Sequence, residues 1–174
     1  MKKLYLLIIL FSFSALCNDF DTATRTSNNK SDTSSSHEKS ENLKDSRIGE
    51  QFIPMSKFNE DKSVGYSFID RSSIILHPYN KKIRVFNEVV NFIPPLVQEN
   101  SEGEKITYRS IVIQHFANCD KKEIAKGIIK LFENYFGDGR LVSTNDTPNR
   151  WANAIDNNEQ RRLLIVSCSL SIAH

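Results

Sequence analysis

A chain of 174 residues, 39% of them hydrophobic, has room for about one folded domain with a modest core. Its formal charge is +2, from 23 basic and 21 acidic residues, and Lys2 and Lys3 fall within an N-terminal export signal, so removing it leaves 21 of each. That balance disfavours nucleic-acid binding driven by overall charge.

The export signal is the first element of the chain. Lys2 and Lys3 precede an apolar run from Leu4 to Phe13, broken only by Ser12, and the small residues Ser14 and Ala15 follow. This is the pattern of a secretory signal peptide over residues 1–17, and the run is too short for a transmembrane helix. Ala15 and Cys17 suit a cut before Asn18. The alternative is lipidation at Cys17, for which Ser14 and Leu16 are poor neighbours; only in that case would the protein reach a membrane. Setting Cys17 aside leaves Cys119 and Cys168, an even number suited to one disulfide in an oxidising compartment.

Residues 18–47 form a Ser/Asn-rich leader with too few apolar side chains to offset the entropy of ordering. It reads as a disordered spacer, and the folded domain spans residues 51–174. Within that domain, Ser63 to Asp70 alternates, with Tyr66 and Phe68 on one face. Asp70-Arg71-Ser72 reads as a turn, Ser73 to His77 as a short strand, and Pro78 to Lys81 as a second turn. Lys82 to Phe92 is a β-rich run with Ile83, Val85, Asn87 and Val89 on one face and Arg84, Phe86, Glu88 and Val90 on the other. Pro94-Pro95 should end it, since proline cannot donate to a ladder. Gln98 to Glu104 reads as a polar hairpin loop. In the strand Thr107 to Asn118, Ile111, Ile113 and His115 share one face.

Lys121 to Phe136 is ambiguous. Ile124, Ile128, Leu131 and Tyr135 fit helical spacing, whereas Ile128 to Phe136 also alternates as a strand. Gly127 would weaken a helix interior by about 1 kcal/mol relative to alanine. Gly137-Asp138-Gly139 is a turn, Arg140 to Ser143 a short strand, and Asn145 to Asn149 a loop. Near the C-terminus, Asp156 followed by Glu159 reads as a capping box before a helix that carries Leu163, Leu164, Val166 and Cys168.

Several stretches, in this order, resemble the surface-adhesin protein E family of Gram-negative bacteria: FIDRSSI (68–74), IRVFNEVVNF (83–92), YRSIVIQHFANC (108–119), NYFGDGRL (134–141), DTPNRW (146–151) and the closing Cys168. The resemblance implies an α+β domain, an antiparallel sheet of about five to six strands with a C-terminal helix docked by a disulfide. It pairs Cys119 with Cys168 and assigns Lys121 to Phe136 to the sheet. It also implies export to the periplasm or outer-membrane surface, a dimeric assembly, and a protein partner. That partner would be a host matrix protein such as vitronectin or laminin, or another envelope protein.

No catalytic motif, glycine-rich phosphate loop or metal-ligand spacing is legible, so neither catalysis nor a cofactor is expected. His115 reads as a sheet residue with a hydrogen-bond partner. Lys105, Arg109, Lys121, Lys122 and Lys126 are the candidate partner-binding residues; the lysine run reads first as a solvated face and more sharply as a docking patch. Trp151, the single tryptophan, reads first as a core plug and second as an interface anchor.

Overall fold

The computed structural model describes residues 43–99, 103–146 and 150–172. The expected signal peptide, Cys17 and the leader through residue 42 lie outside the described residues. Among the described residues there are seven strands: β1 (Phe52–Glu60), β2 (Ser63–Leu76), β3 (Ile83–Glu99), β4 (Lys105–Asn118), β5 (Glu123–Phe132), β6 (Leu141–Asn145) and β7 (Ala152–Asn153). One α-helix, α1 (Asn158–Ser169), follows them. The sheet is an antiparallel meander in the order β1-β2-β3-β4-β5-β6, and β7 pairs with the other end of the β5 edge that carries β6.

The ambiguous stretch resolves as strand: Glu123–Phe132 is β5, paired with β4 from Asn118↔Glu123 to Ser110↔Phe132. Its irregular pattern has a local cause. The register shifts between Ile113 and His115, whose partners are Ile129 and Lys126, so Gln114 faces two residues of β5. Gly127 sits in this bulge because a Cβ there would lie 2.6 Å from the Phe116 ring. The phase change puts Ile124 and Ile129 on one face despite their odd spacing.

Three other expected breaks are bulges or continuations. Asp70-Arg71-Ser72 is not a turn between strands; β2 runs through it, with the register shifting between Asp70 and Ile75. The Asp70 carboxylate accepts from the Ser72 amide (3.1 Å) and hydroxyl (2.6 Å), giving this kink local hydrogen bonds. Pro94-Pro95 does not end β3, which continues to Glu99 inside the stretch expected as a hairpin loop. The missing donors are accommodated by a register shift between Asn91 and Leu96. β1, which the sequence pattern did not single out, forms the free edge, with Pro54, exposed Lys57 and a bulge after Pro54, features that discourage edge pairing.

Two faces of the sheet are covered differently. Helix α1 lies on one, where Leu163 and Leu164 pack with Ile69, Ile74, Phe86 and Ile124, and Val166 and Cys168 pack against that cluster. The helix is capped by Asn157, one residue beyond the expected Asp156; its side chain accepts from the amides of Glu159 (2.9 Å) and Gln160 (3.1 Å). Its last turn carries no basic residue of its own. Arg84 of β3 supplies the charge across space, donating to the carbonyls of Ser167 (2.8 Å) and Leu170 (2.6 Å). The Cys119–Cys168 disulfide, with Cα atoms 6.0 Å apart, ties the same turn to the end of β4. Arg84→Ala removes two charge-assisted hydrogen bonds from a half-buried helix end. Denaturant unfolding should show a loss of about 1.5–3 kcal/mol, and Arg84→Lys should recover only part of it.

On the opposite face Phe52, Phe68, Val89 and Phe136 cluster, joined by the half-buried Leu43 and Ile48. Leu43, the first described residue, is therefore already in contact with the sheet. The Arg47 guanidinium lies 5.0 Å from the Phe52 ring centre and 5.4 Å from that of Phe136. It pairs with Asp45 and Asp138, each at 2.7 Å. Phe136 adopts a left-handed φ of 59°, unfavourable for a bulky side chain. Its amide donates to the Asn91 side chain (2.8 Å), and the next amide, of Gly137, donates to the Ser110 hydroxyl (3.0 Å). These bonds hold the conformation that inserts the ring.

Candidate functional site

The basic residues singled out in the sequence do not form one patch. Lys105 opens β4, and Lys121 and Lys122 follow its end; a strand of 14 residues spans about 45 Å. Arg109 lies near the Lys105 end, where its guanidinium donates to the Glu133 carbonyl (3.1 Å). Lys121 and Lys122 are exposed in the β4–β5 turn, and the Lys122 carbonyl accepts from the Ala154 amide (2.9 Å). That bond, with the pairs Glu123↔Asn153 and Ile124↔Ala152, brings the segment around Trp151 to the same end of the sheet. Trp151 is not a core plug: it is 44% exposed. The strand β7 that it precedes is too short to bury it.

Lys126 stands elsewhere, on the helix face opposite His115 in the β4–β5 register. Two adjoining cavities open there. The first, about 670 Å³, is lined by Phe58, Val90, Phe92, Ile111 and Ile113 from the sheet and by Asn157–Gln160 from the start of α1, among others. The second, about 660 Å³, lies between β5, the residues leading into β7, and α1. His115, Lys126 and Gln160 line both. Trp151 lines neither.

Beneath the first cavity is a buried polar triad that no linear motif announces. Glu88 and His115 are 4% and 1% exposed. They sit on adjacent strands in diagonal register, Glu88 opposite Ile113 and His115 opposite Phe86, within reach of long side chains. His115 Nε2 and Glu88 Oε2 are 2.9 Å apart, and the buried Ser67 hydroxyl donates to the other carboxylate oxygen. The Phe86 ring stacks on the imidazole at 5.2 Å. The expectation of a hydrogen-bonded sheet histidine is met. Burial alone would raise the Glu88 carboxyl. The His115 bond and charge, then the Ser67 hydroxyl and the charge on Lys126, outweigh it and hold the carboxyl below its ordinary value. Glu88 is therefore a paired carboxylate at neutral pH, with both oxygens engaged, and not a poised general base.

The signal for the triad was only partly present in the sequence. Glu88 and His115 each fall on a strand face otherwise apolar, but their contact depends on a register that residue types alone do not fix. Arg150, which lines the second cavity, was missed for the same reason: it lies in a loop-like stretch and reaches Lys126 only through β7 pairing. Among the described residues, no cluster of three or more His, Cys, Asp or Glu could hold a metal ion. No helix among them is long and apolar enough to cross a membrane.

Comparison with known proteins bears on this arrangement. The family model for surface-adhesin protein E matches residues 52–169, from the first residue of β1 to the last of α1. The chain belongs to the surface-adhesin protein E family. Membership makes it an adhesin-like surface protein, exported from the cell. Solved structures agree on the fold of this surface adhesin. Protein E of Haemophilus influenzae aligns with a TM-score of 0.55 at 16% identity, covering 70% of this chain and 86% of that one. A second crystal form of the same protein gives 0.53 at 16% identity, covering 70% and 90%. Protein E from non-typeable H. influenzae gives 0.55 at 16% identity, covering 74% and 85%. At such identities the likeness carries the fold and no residue-level function. No curated protein sequence matches the chain significantly.

Proposed function

We propose that this surface adhesin is a non-enzymatic protein-binding module of the bacterial envelope, displayed on the outer-membrane surface, and that it captures a protein partner at the end of the sheet carrying Lys121, Lys122 and Trp151. The observation that carries this reading is the exposed Trp151 at the same end of the sheet as two exposed lysines, in a chain of an adhesin family. Tryptophan is enriched among residues that dominate binding energy when it lies near an interface centre. Neutral mature charge points to local complementarity over general basic attraction.

The wide separation of Lys105 and Arg109 from Lys121 and Lys122 favours a second reading, a periplasmic accessory subunit that binds another envelope protein without host contact. Pull-downs with the exported chain against host matrix proteins and against envelope extracts separate the two. Capture of a matrix protein, lowered by about 2 kcal/mol or more in Trp151→Ala and weakened in Lys121→Ala/Lys122→Ala, supports the first. Capture from envelope extract alone, with the domain resistant to protease on intact cells, supports the second.

A further inference from the structure

The two cavities beside α1 differ in charge. The first carries Glu60 and Glu159 as well as Lys126 and Arg162. The second is lined by Lys126 and Arg150 together with His115, Ile124, Ile129, Ala152 and Gln160, and contains no carboxylate. Glu88, which lines the first cavity, has both oxygens bonded, to His115 and Ser67. Among the described residues neither Lys126 nor Arg150 forms a contact ion pair. Lys126 and Arg150 are exposed and line one recess without a carboxylate in it, so an incoming anion meets positive charge from both.

We infer that the recess between β5, Arg150 and the start of α1 receives an acidic side chain of a protein partner, with a neighbouring apolar residue of that partner seated in the adjoining cavity. This rests on the protein-binding reading above and names the chemistry of the partner. The order of charges fixes the direction. The acid enters at the Arg150 end, because Glu60 and Glu159 oppose it at the other. Val90, Phe92, Ile111 and Ile113 supply an apolar surface next to it. The groove thus suits an extended segment with an acidic and an apolar residue two positions apart, so that both point to the same face. Arg150 contributes a planar fork that can take a carboxylate on two donors, and Lys126 a point charge beside it. A lipid headgroup fits less well, because the cations line a recess beside the helix and do not ring a flat surface.

The test uses the disulfide-intact exported chain and three fluorescein-labelled dodecapeptides that repeat Glu-Ser-Leu-Ser, Gln-Ser-Leu-Ser or Lys-Ser-Leu-Ser (the Glu/Leu, Gln/Leu and Lys/Leu peptides), followed by fluorescence anisotropy. Only the Glu/Leu peptide is expected to bind. Its affinity should fall about tenfold or more in Arg150→Glu and in Lys126→Glu, a change of about 1.4 kcal/mol. It should be unchanged in Lys44→Glu, an exposed residue of the segment packed on the opposite face of the sheet. Equal binding of the Gln/Leu peptide, or an Arg150→Glu variant that binds as the parent does, overturns the inference. So does binding to phosphatidylglycerol vesicles that depends on Arg150 when the peptide does not bind. Circular dichroism of each variant guards against misfolding, and Arg150→Gln, which keeps a similar shape, repeats the measurement if the reversal does not fold. A protein partner captured by the parent and retained by Lys126→Glu/Arg150→Glu leaves the protein-binding reading standing and removes this one. Absence of both partner and peptide binding removes both.

Discussion

The Cys119→Ser/Cys168→Ser double variant is expected to lose about 4 kcal/mol of stability, the chain-entropy value for a loop of this length. The bridge closes a sequence separation of 49 residues, which contains β5, β6, β7 and most of α1. In the unfolded chain the crosslink removes many conformations that the reduced chain regains. In the folded chain it pins the last helical turn to the end of β4, where Arg84 also holds the helix carbonyls. Ordinary domains have net stabilities of about 5–15 kcal/mol, so a large share of the margin depends on this bond. Denaturant titration of the parent, reduced parent and double variant checks it. A midpoint shared by all three would show that α1 is held by packing and Arg84 alone.

His115→Leu is expected to be the most damaging single substitution in the sheet, at about 3–5 kcal/mol near neutral pH, because it leaves a buried carboxylate without its partner. Ser67 would remain on one oxygen and Lys126 at a distance, neither replacing the imidazole contact. The double variant Glu88→Leu/His115→Leu should recover much of the loss, since the charge disappears with its partner. The pair also sets a pH dependence. The Glu88 carboxyl lies below its ordinary 4.5 when folded, so its contribution is fully present above about that pH. It is lost as pH falls further through the folded value. Stability of the parent should therefore drop on acidification below about pH 4.5, and the double variant should lack that component. Parallel acid profiles for the two would show that other carboxylates govern acid unfolding.

Much of the sheet was legible because period-2 alternation survives wherever the strands are regular. In Ile83 to Phe92, Phe86, Glu88 and Val90 do share the helix face, and Val85, Asn87 and Val89 the other, because no bulge intervenes. Where bulges occur, the alternation loses phase and mimics something else. Gly127 and the extra residue beside it made Ile124 to Leu131 look helical. Asp70 to Ser72 looked like a turn because the residues that favour turns also suit a kinked strand. β1 escaped notice because FIPMSKFNE combines a proline, a bulge and mixed polarity, the marks of an edge strand, which weaken the strand pattern. The helix start was off by one residue because Asp156 and Asn157 are both good caps, and only the backbone shows which one turns inward. The polar triad and the Lys126–Arg150 recess are products of register across strands, and register becomes definite only when every hairpin is placed.

The meander has a consequence for how the chain folds. From β1 to β6 each strand pairs with its sequence neighbour, so the hairpins can close in succession. The hydrogen bonds of greatest sequence separation are Arg71 with Ser171, 100 positions apart, Arg47 with Asp138, 91 apart, and Arg84 with the end of α1, up to 86 apart. All three require loop closure that gains nothing until the sheet beneath them exists. The helix is therefore expected to dock late, onto a sheet already formed, with the disulfide to the end of β4 latching a finished layer.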